Sequence, residues 1–204
     1  MSYMRASFPC LPQEMMTDHT LIQPLQSIFT AEDPPDVVLS ALIPKLGEVL
    51  DCDRCFLYLR NPYNKLGKVT HCWRRGPQYP SIGDPDWKQE PDSLPQADPL
   101  FAAALQAKPT IFVEDVETAS PEVVNLAFEQ SNFGHRALIH SHLVQDGLLW
   151  GVLQPCLFNQ PRIWTEFDRS VIAQVEQAIT PLAIDLVKAS GKWGTSNRSP
   201  VKAE

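Results

Sequence analysis

Basic residues are in the minority: 17 Lys and Arg stand against 24 Asp and Glu in 204 residues, a net charge of −7. They are scattered, so no basic stripe can neutralise a run of phosphates, and nucleic acid is excluded as a partner. Long apolar runs are also lacking. No stretch reaches the ~18 apolar residues of a spanning helix, and MSYMRASFPCLPQEMMTDHT at the N-terminus has no apolar core of signal-peptide length. No integral membrane segment is expected, and a cytoplasmic location is. Cysteine is sparse and odd in number (Cys10, Cys52, Cys55, Cys72, Cys156), which leaves free thiols as the default. Cys52 and Cys55 have C-x2-C spacing. No second pair follows at zinc-ribbon distance, and the segment runs directly into an alternating apolar strand, where cysteine packs as a small hydrophobe.

The composition, 44% hydrophobic, is enough for one core. The expected organisation is a flexible segment 1–17, a single domain 18–188 and a flexible tail 189–204. LIQPLQSIF (21–29) reads as a short leading helix. PDVVLSALIPKLGEVL (35–50) is an amphipathic helix, with Val38, Leu42 and Leu46 on one side and Pro44 costing it a backbone bond. CFLYLRNP (55–62) and VTHCWRR (69–75) form a hairpin, and residues 76–99, rich in Pro and Asp, form a long ordered loop. A helix over 98–108 follows with Asp98 as its N-cap, then a strand over 110–116 and a helix over 121–132 capped by Ser120. ALIHSHLV and LLWGVLQPCLF flank QDG as a second hairpin. A last helix, 165–189, starts at Thr165 and Asp168 and carries Phe167, Val171, Val175, Ala178, Leu182 and Leu186 on one stripe. This order gives an α+β fold with an antiparallel sheet covered by helices.

The same order carries a family resemblance. LDCDRCFLYL (50–59), GKVTHCW (67–73), DPLF (98–101), LLWGVLQPC (148–156) and PRIWTEFD (161–168) together resemble a GAF domain over residues 35–187. They are closest to the phytochrome-like GAF domains of cyanobacteria. The resemblance implies a central antiparallel sheet of five or six strands with helices on both faces. The terminal helices would pack on one face, and a small-molecule pocket would lie on the other, under the long loop. It also implies a regulatory protein. Bilin-binding members attach their chromophore through a cysteine in the helix before the last hairpin, or in a D-x-C-F motif. Here PEVVNLAFEQSNF has no cysteine and the second motif reads DPLF, so no covalent cofactor is expected. The N-K-F-D-E run of the cyclic-nucleotide branch is missing. The sulfoxide-reductase branch uses cysteines in the loop, and residues 76–108 contain none.

The candidate ligand-binding residues are Cys72, Trp73, His135, Arg136, His140, His142 and Cys156. His140 and His142 share one strand face with Leu138 and Val144, opposite Ala137, Ile139, Ser141 and Leu143. They could hold a metal only with a third ligand such as His71, His135 or Cys156; the stronger reading is a hydrogen-bonded polar face, with no metal. Arg136 suits a carboxylate ligand. Trp73, Arg74 and Arg75 are expected to anchor the long loop through Asp84, Asp86 or Glu90. Glu114 and Asp115 are adjacent and face opposite ways, so they form no acid/base pair, and no catalytic residue is assigned. Function is read as non-catalytic regulation through a homodimer and a protein partner, modulated by a small molecule. The alternatives are a small-molecule, redox or metal sensor and, last, a sulfoxide reductase. No output domain is recognised in the chain, so a signal is expected to leave by contacts.

Overall fold

The computed structural model describes residues 23–29 and 33–191. The expected flexible segment 1–17, and the tail from residue 192 onward, lie outside the described residues. The elements in chain order are α1 (Gln23–Gln26, continued by a 3-10 turn Ser27–Phe29), α2 (Pro35–Val49), β1 (Arg54–Arg60), β2 (Leu66–Arg74), β3 (Lys88–Gln89), α3 (Leu94–Ala97) and α4 (Pro99–Leu105). There follow β4 (Ile111–Val113), α5 (Leu126–Asn132), β5 (Ala137–Gln145), β6 (Leu148–Leu157) and α6 (Glu166–Ala189). Six strands form one antiparallel sheet in the order β3-β2-β1-β6-β5-β4.

Strand alternation divides the sheet into two environments. Cys55, Leu57 and Leu59 of β1, Ile139 and Leu143 of β5, and Leu153 and Leu157 of β6 join α2 and α6 in the main core. The opposite face carries Tyr58, Leu149 and Val152 under α4. Helices therefore cover both faces, as expected. The bulge at Leu143/Val144 puts Trp150 into the main core beside its neighbours of opposite parity.

α2 runs through Pro44, buries Leu39, Leu42, Ile43 and Leu46, and has Gly47 under the ring of Trp73. A Cβ at Gly47 would lie 2.2 Å from Trp73 Cε3. Gly47→Ala is therefore expected to lower stability by about 1–2 kcal/mol, because overpacking of the ring exceeds the ~1 kcal/mol gain in helix propensity. Thermal denaturation would read this as a Tm lower by a few degrees, and an unchanged or raised Tm would contradict it.

Three expectations change. The helix over 121–132 begins only at Leu126, where Asn125 Oδ1 accepts from Phe128 N at 3.3 Å. Ser120 instead closes a single turn through its carbonyl, which accepts from Val123 N and Val124 N. The asparagine side chain competes for the helix start, and the paired β-branched valines favour the break. The stripe on α6 is also rotated. Val171, Ile172, Val175, Ile179, Ala183, Ile184 and Val187 are buried, whereas Phe167 is 52% exposed and Leu182 and Leu186 lie on the shoulder of the stripe. By length and composition alone α6 could cross a membrane; here its apolar stripe covers the sheet. Finally, the long loop contains β3 and α3, and β2 starts at Leu66, where it pairs with Gln89.

Candidate functional site

The face opposite α2 and α6 holds a partly open cavity of about 180 Å³ between β1, β2, β5 and β6 and helices α3, α4 and α5. Five aromatic rings border it: Phe56, Tyr58, Phe101, Phe128 and Phe133. Tyr58 meets Phe101 edge-on at 6.3 Å, and Phe128 meets Phe133 the same way. Three polar side chains join them, Asp98, His140 and Gln154.

The Glu90 carboxylate ties the long loop to the cavity wall. Glu90 accepts from the Tyr58 hydroxyl at 2.6 Å and from Arg60 Nε at 2.9 and 3.0 Å, with Arg60 and Glu90 both buried. Burial and the Glu90 charge push the Tyr58 hydroxyl well above its ordinary pKa, so the phenol stays a donor. The expected Arg74 and Arg75 contacts to loop acids do not form. Arg74 donates to the Tyr79 carbonyl and Arg75 pairs with Asp51, while Asp84 receives Lys88 and Val69 N.

His140 presents an acceptor to the cavity, as a chain of ring nitrogens shows. His142 Nδ1 lies 2.7 Å from the Lys108 carbonyl and must donate to it, which leaves Nε2 bare. His140 Nδ1, 2.8 Å from that Nε2, must then be the donor, and its own Nε2 becomes the acceptor. Burial drives His140 well below its ordinary pKa and lowers that of His142, so both rings are neutral. Among the described residues no three His, Cys, Asp or Glu side chains gather in a metal-holding group. His71 is on the other face of the sheet, beside Asp36.

His135 stands behind the cavity wall, stacked on Phe133 at 5.2 Å. Arg54 Nη2 donates to its Nε2, so the proton is on Nδ1, which lies against Glu129 Oε1. Arg54, His135 and Glu129 are all buried. Burial lowers the His135 pKa and outweighs the opposing pull of Glu129. The trio is thus a neutral ring between a buried cation and a buried anion. Arg54 also donates to the Pro80 carbonyl at 2.9 Å and lies 4.9 Å from the Phe158 ring centre.

Asp98 caps α4, with Oδ1 accepting from Leu100 N at 2.9 Å and Phe101 N at 3.2 Å. Burial pushes its pKa from 3.8 up to about 6 against the pull of those two amides, and Glu129 adds to the rise. A raised acid pKa in the folded state means stability that is present below the unfolded pKa and lost as pH rises through the folded one. Stability is expected to fall by about 2–3 kcal/mol between about pH 4 and pH 6 from this group. Asp98→Asn, which keeps the cap, should remove that component. Urea denaturation of both proteins across this range tests it; parallel pH profiles would refute the assignment.

The remaining candidates are dispersed. Arg136 turns outward to Asp115 at 2.7 Å and to Glu117 at 3.1 Å. Trp73 packs toward α2. Cys72 pairs with Phe56 across β1 and β2 and is half-buried. Cys156 is buried beside Arg54 with Leu100, Val113, Val116, Val124 and Leu138, and burial holds its thiol well above the ordinary range. Strand β1 separates Cys72 from Cys156, so the two thiols do not meet. Sequence reasoning assigned no ligand role to Asp98, Gln154 or the aromatic rings. Their signal was the alternation of Phe56 and Tyr58 with Leu57 and the three phenylalanines at 101, 128 and 133.

The GAF domain family model matches residues 34–183. This chain belongs to the GAF domain family. Solved GAF structures share its fold. The blue-light-absorbing form of the Thermosynechococcus elongatus PixJ GAF domain is 18% identical, covering 77% of this chain and 89% of that one with a TM-score of 0.58. The GAF domain of an Acinetobacter phosphoenolpyruvate-protein phosphotransferase is 14% identical over 84% and 95% of the two chains, TM-score 0.60. A far-red-absorbing dark-state protein with bound biliverdin is 14% identical over 81% and 99%, TM-score 0.61. No curated protein matches the sequence. GAF domains are in general sensory and regulatory, and the GAF segment PRIWTEFD has a structural task here: Trp164 Nε1 donates to the Val113 carbonyl at 3.0 Å, and Thr165 and Asp168 form a reciprocal capping box.

Proposed function

We propose that this chain is a non-catalytic regulatory module whose cavity takes a small ligand and whose terminal helices pass the signal to a second copy or a partner protein. The observation that carries this reading is the aromatic-lined cavity on one face of a sheet whose other face is covered by α2 and α6. Alternate residues of the same strands serve both sides. His140 and Val152 border the cavity, while their neighbours Ser141 and Leu153 meet the helix layer, Ser141 by donating to Glu176 of α6 at 2.9 Å. A ligand that shifts β5 therefore acts directly on α6. Phe167, and Ile163 just before the helix (76% exposed), offer apolar surface at the start of α6.

A covalently held bilin fits less well. Among the described residues no cysteine borders the cavity, whose volume of about 180 Å³ is below the ~300–1,000 Å³ of ordinary ligand pockets. The dimer is tested by light scattering. Dimer mass at micromolar concentration is expected, with dissociation on Phe167→Glu, and monomer mass over the whole accessible concentration range would refute it.

A further inference from the structure

We infer that the cavity selects a small organic ammonium ion, a protonated amine on a short apolar body; this rests on the cavity being a ligand site, as proposed above. The polar atoms that face it are of one kind. Asp98 spends Oδ1 on the two amides at the start of α4, and among the described residues no donor is found on its Oδ2. His140 is held by the His142–Lys108 chain in the tautomer that exposes a bare Nε2. Gln154, whose amide nitrogen stands 3.2 Å from the protonated Nδ1 of His135, can turn either a donor or an acceptor to the cavity. Tyr58 cannot offer its proton, because Glu90 takes it.

Among the described residues no lysine or arginine borders the cavity; its surround includes a carboxylate, a neutral imidazole acceptor, an amide and five aromatic rings. An anion would meet a carboxylate with no neighbouring cation to offset it, and an uncharged molecule would leave the second oxygen of that carboxylate without a charged donor. An ammonium ion satisfies each group. It donates to Asp98 Oδ2 in a charge-assisted bond, can donate to His140 Nε2, and is stabilised by the aromatic rings. The volume of about 180 Å³ limits the body to a short branched alkyl chain.

Three probes of one shape separate charge from fit: isobutylammonium, isobutanol and isobutyrate, titrated into the full chain at neutral pH and followed by amide NMR shifts. The amine is expected to shift the amides of Phe101, His140 and Gln154. Isobutanol should bind about tenfold more weakly, and isobutyrate not at all. Asp98→Asn keeps the helix cap and should weaken the amine about tenfold, to the level of the alcohol. If the alcohol or the acid binds at these amides as tightly as the amine, or if Asp98→Asn leaves amine affinity unchanged, the ammonium assignment is overturned while the ligand site stands. If none of the three shifts these amides, both are overturned. The comparison of probes on the unaltered protein does not depend on the variant.

Discussion

Arg54→Ala should destabilise the protein by about 3–5 kcal/mol, the cost of removing one partner from a buried pair. The guanidinium is fully buried, and its charge reaches Glu129 only through the His135 ring between them. Without it the Glu129 carboxylate faces a neutral imidazole in a dry interior, and the Pro80 carbonyl loses its donor. The rings of Phe56 and Phe158, 5.5 and 4.9 Å from the guanidinium carbon, lose their cover as well. Glu129→Gln alone should cost less, because Arg54 keeps its bonds to His135 and Pro80. The double variant Arg54→Met with Glu129→Gln should recover part of the loss, since both buried charges leave together and methionine refills the space. Urea denaturation of the unaltered protein, Arg54→Met, Glu129→Gln and the double variant closes a double-mutant cycle and gives the coupling. Additivity to within about 0.5 kcal/mol would mean that Arg54 and Glu129 are not coupled through the His135 ring.

The trio also shows why the sequence discloses some of this site and not the rest. Alternation along ALIHSHLV places His140 and His142 on the same face, because a strand has one rule for direction and the neighbours obey it. The C-x2-C pair packs as expected: Cys52 and Cys55 are buried hydrophobes of the core. By contrast, Arg54, Glu129 and His135 meet across separations of 75 and 81 residues, a pairing that exists only after β1, α5 and the approach to β5 have docked. Arg136 illustrates the converse. Its fork of donors suits a ligand carboxylate, but Asp115, at the end of β4, fills that role, and local pattern cannot decide which acid arrives first. The α6 stripe was misplaced for a related reason. An amphipathic pattern gives the period of a helix, while its rotation about the axis is set by what it packs against. Here α6 packs beside α2 on the same face of the sheet, against β5 and β6, and Phe167 turns out of the core.

Trp164→Ala should be nearly as damaging, about 3–5 kcal/mol, with a Tm lower by roughly 6–20 °C for a chain of this size. Trp164 is 2% exposed and is packed into the main core. It does three things at once. Its ring fills space under α6, its Nε1 satisfies the Val113 carbonyl, and its face carries the guanidinium of Arg162 at 4.7 Å. That guanidinium in turn donates to the Leu50 carbonyl and to Asp168 Oδ1, which binds the end of α2 to the start of α6. Trp164→Phe separates these roles. It retains most of the apolar area and leaves the Val113 carbonyl without its side-chain donor, so the expected loss is only about 1–3 kcal/mol. β4 is a three-residue edge strand paired on one side with β5. Amide hydrogen exchange in Trp164→Phe should therefore rise at Ile111–Val113 more than at β1 or β6. Equal loss of protection across the sheet would show that the indole supports the whole core and does not specifically hold the edge.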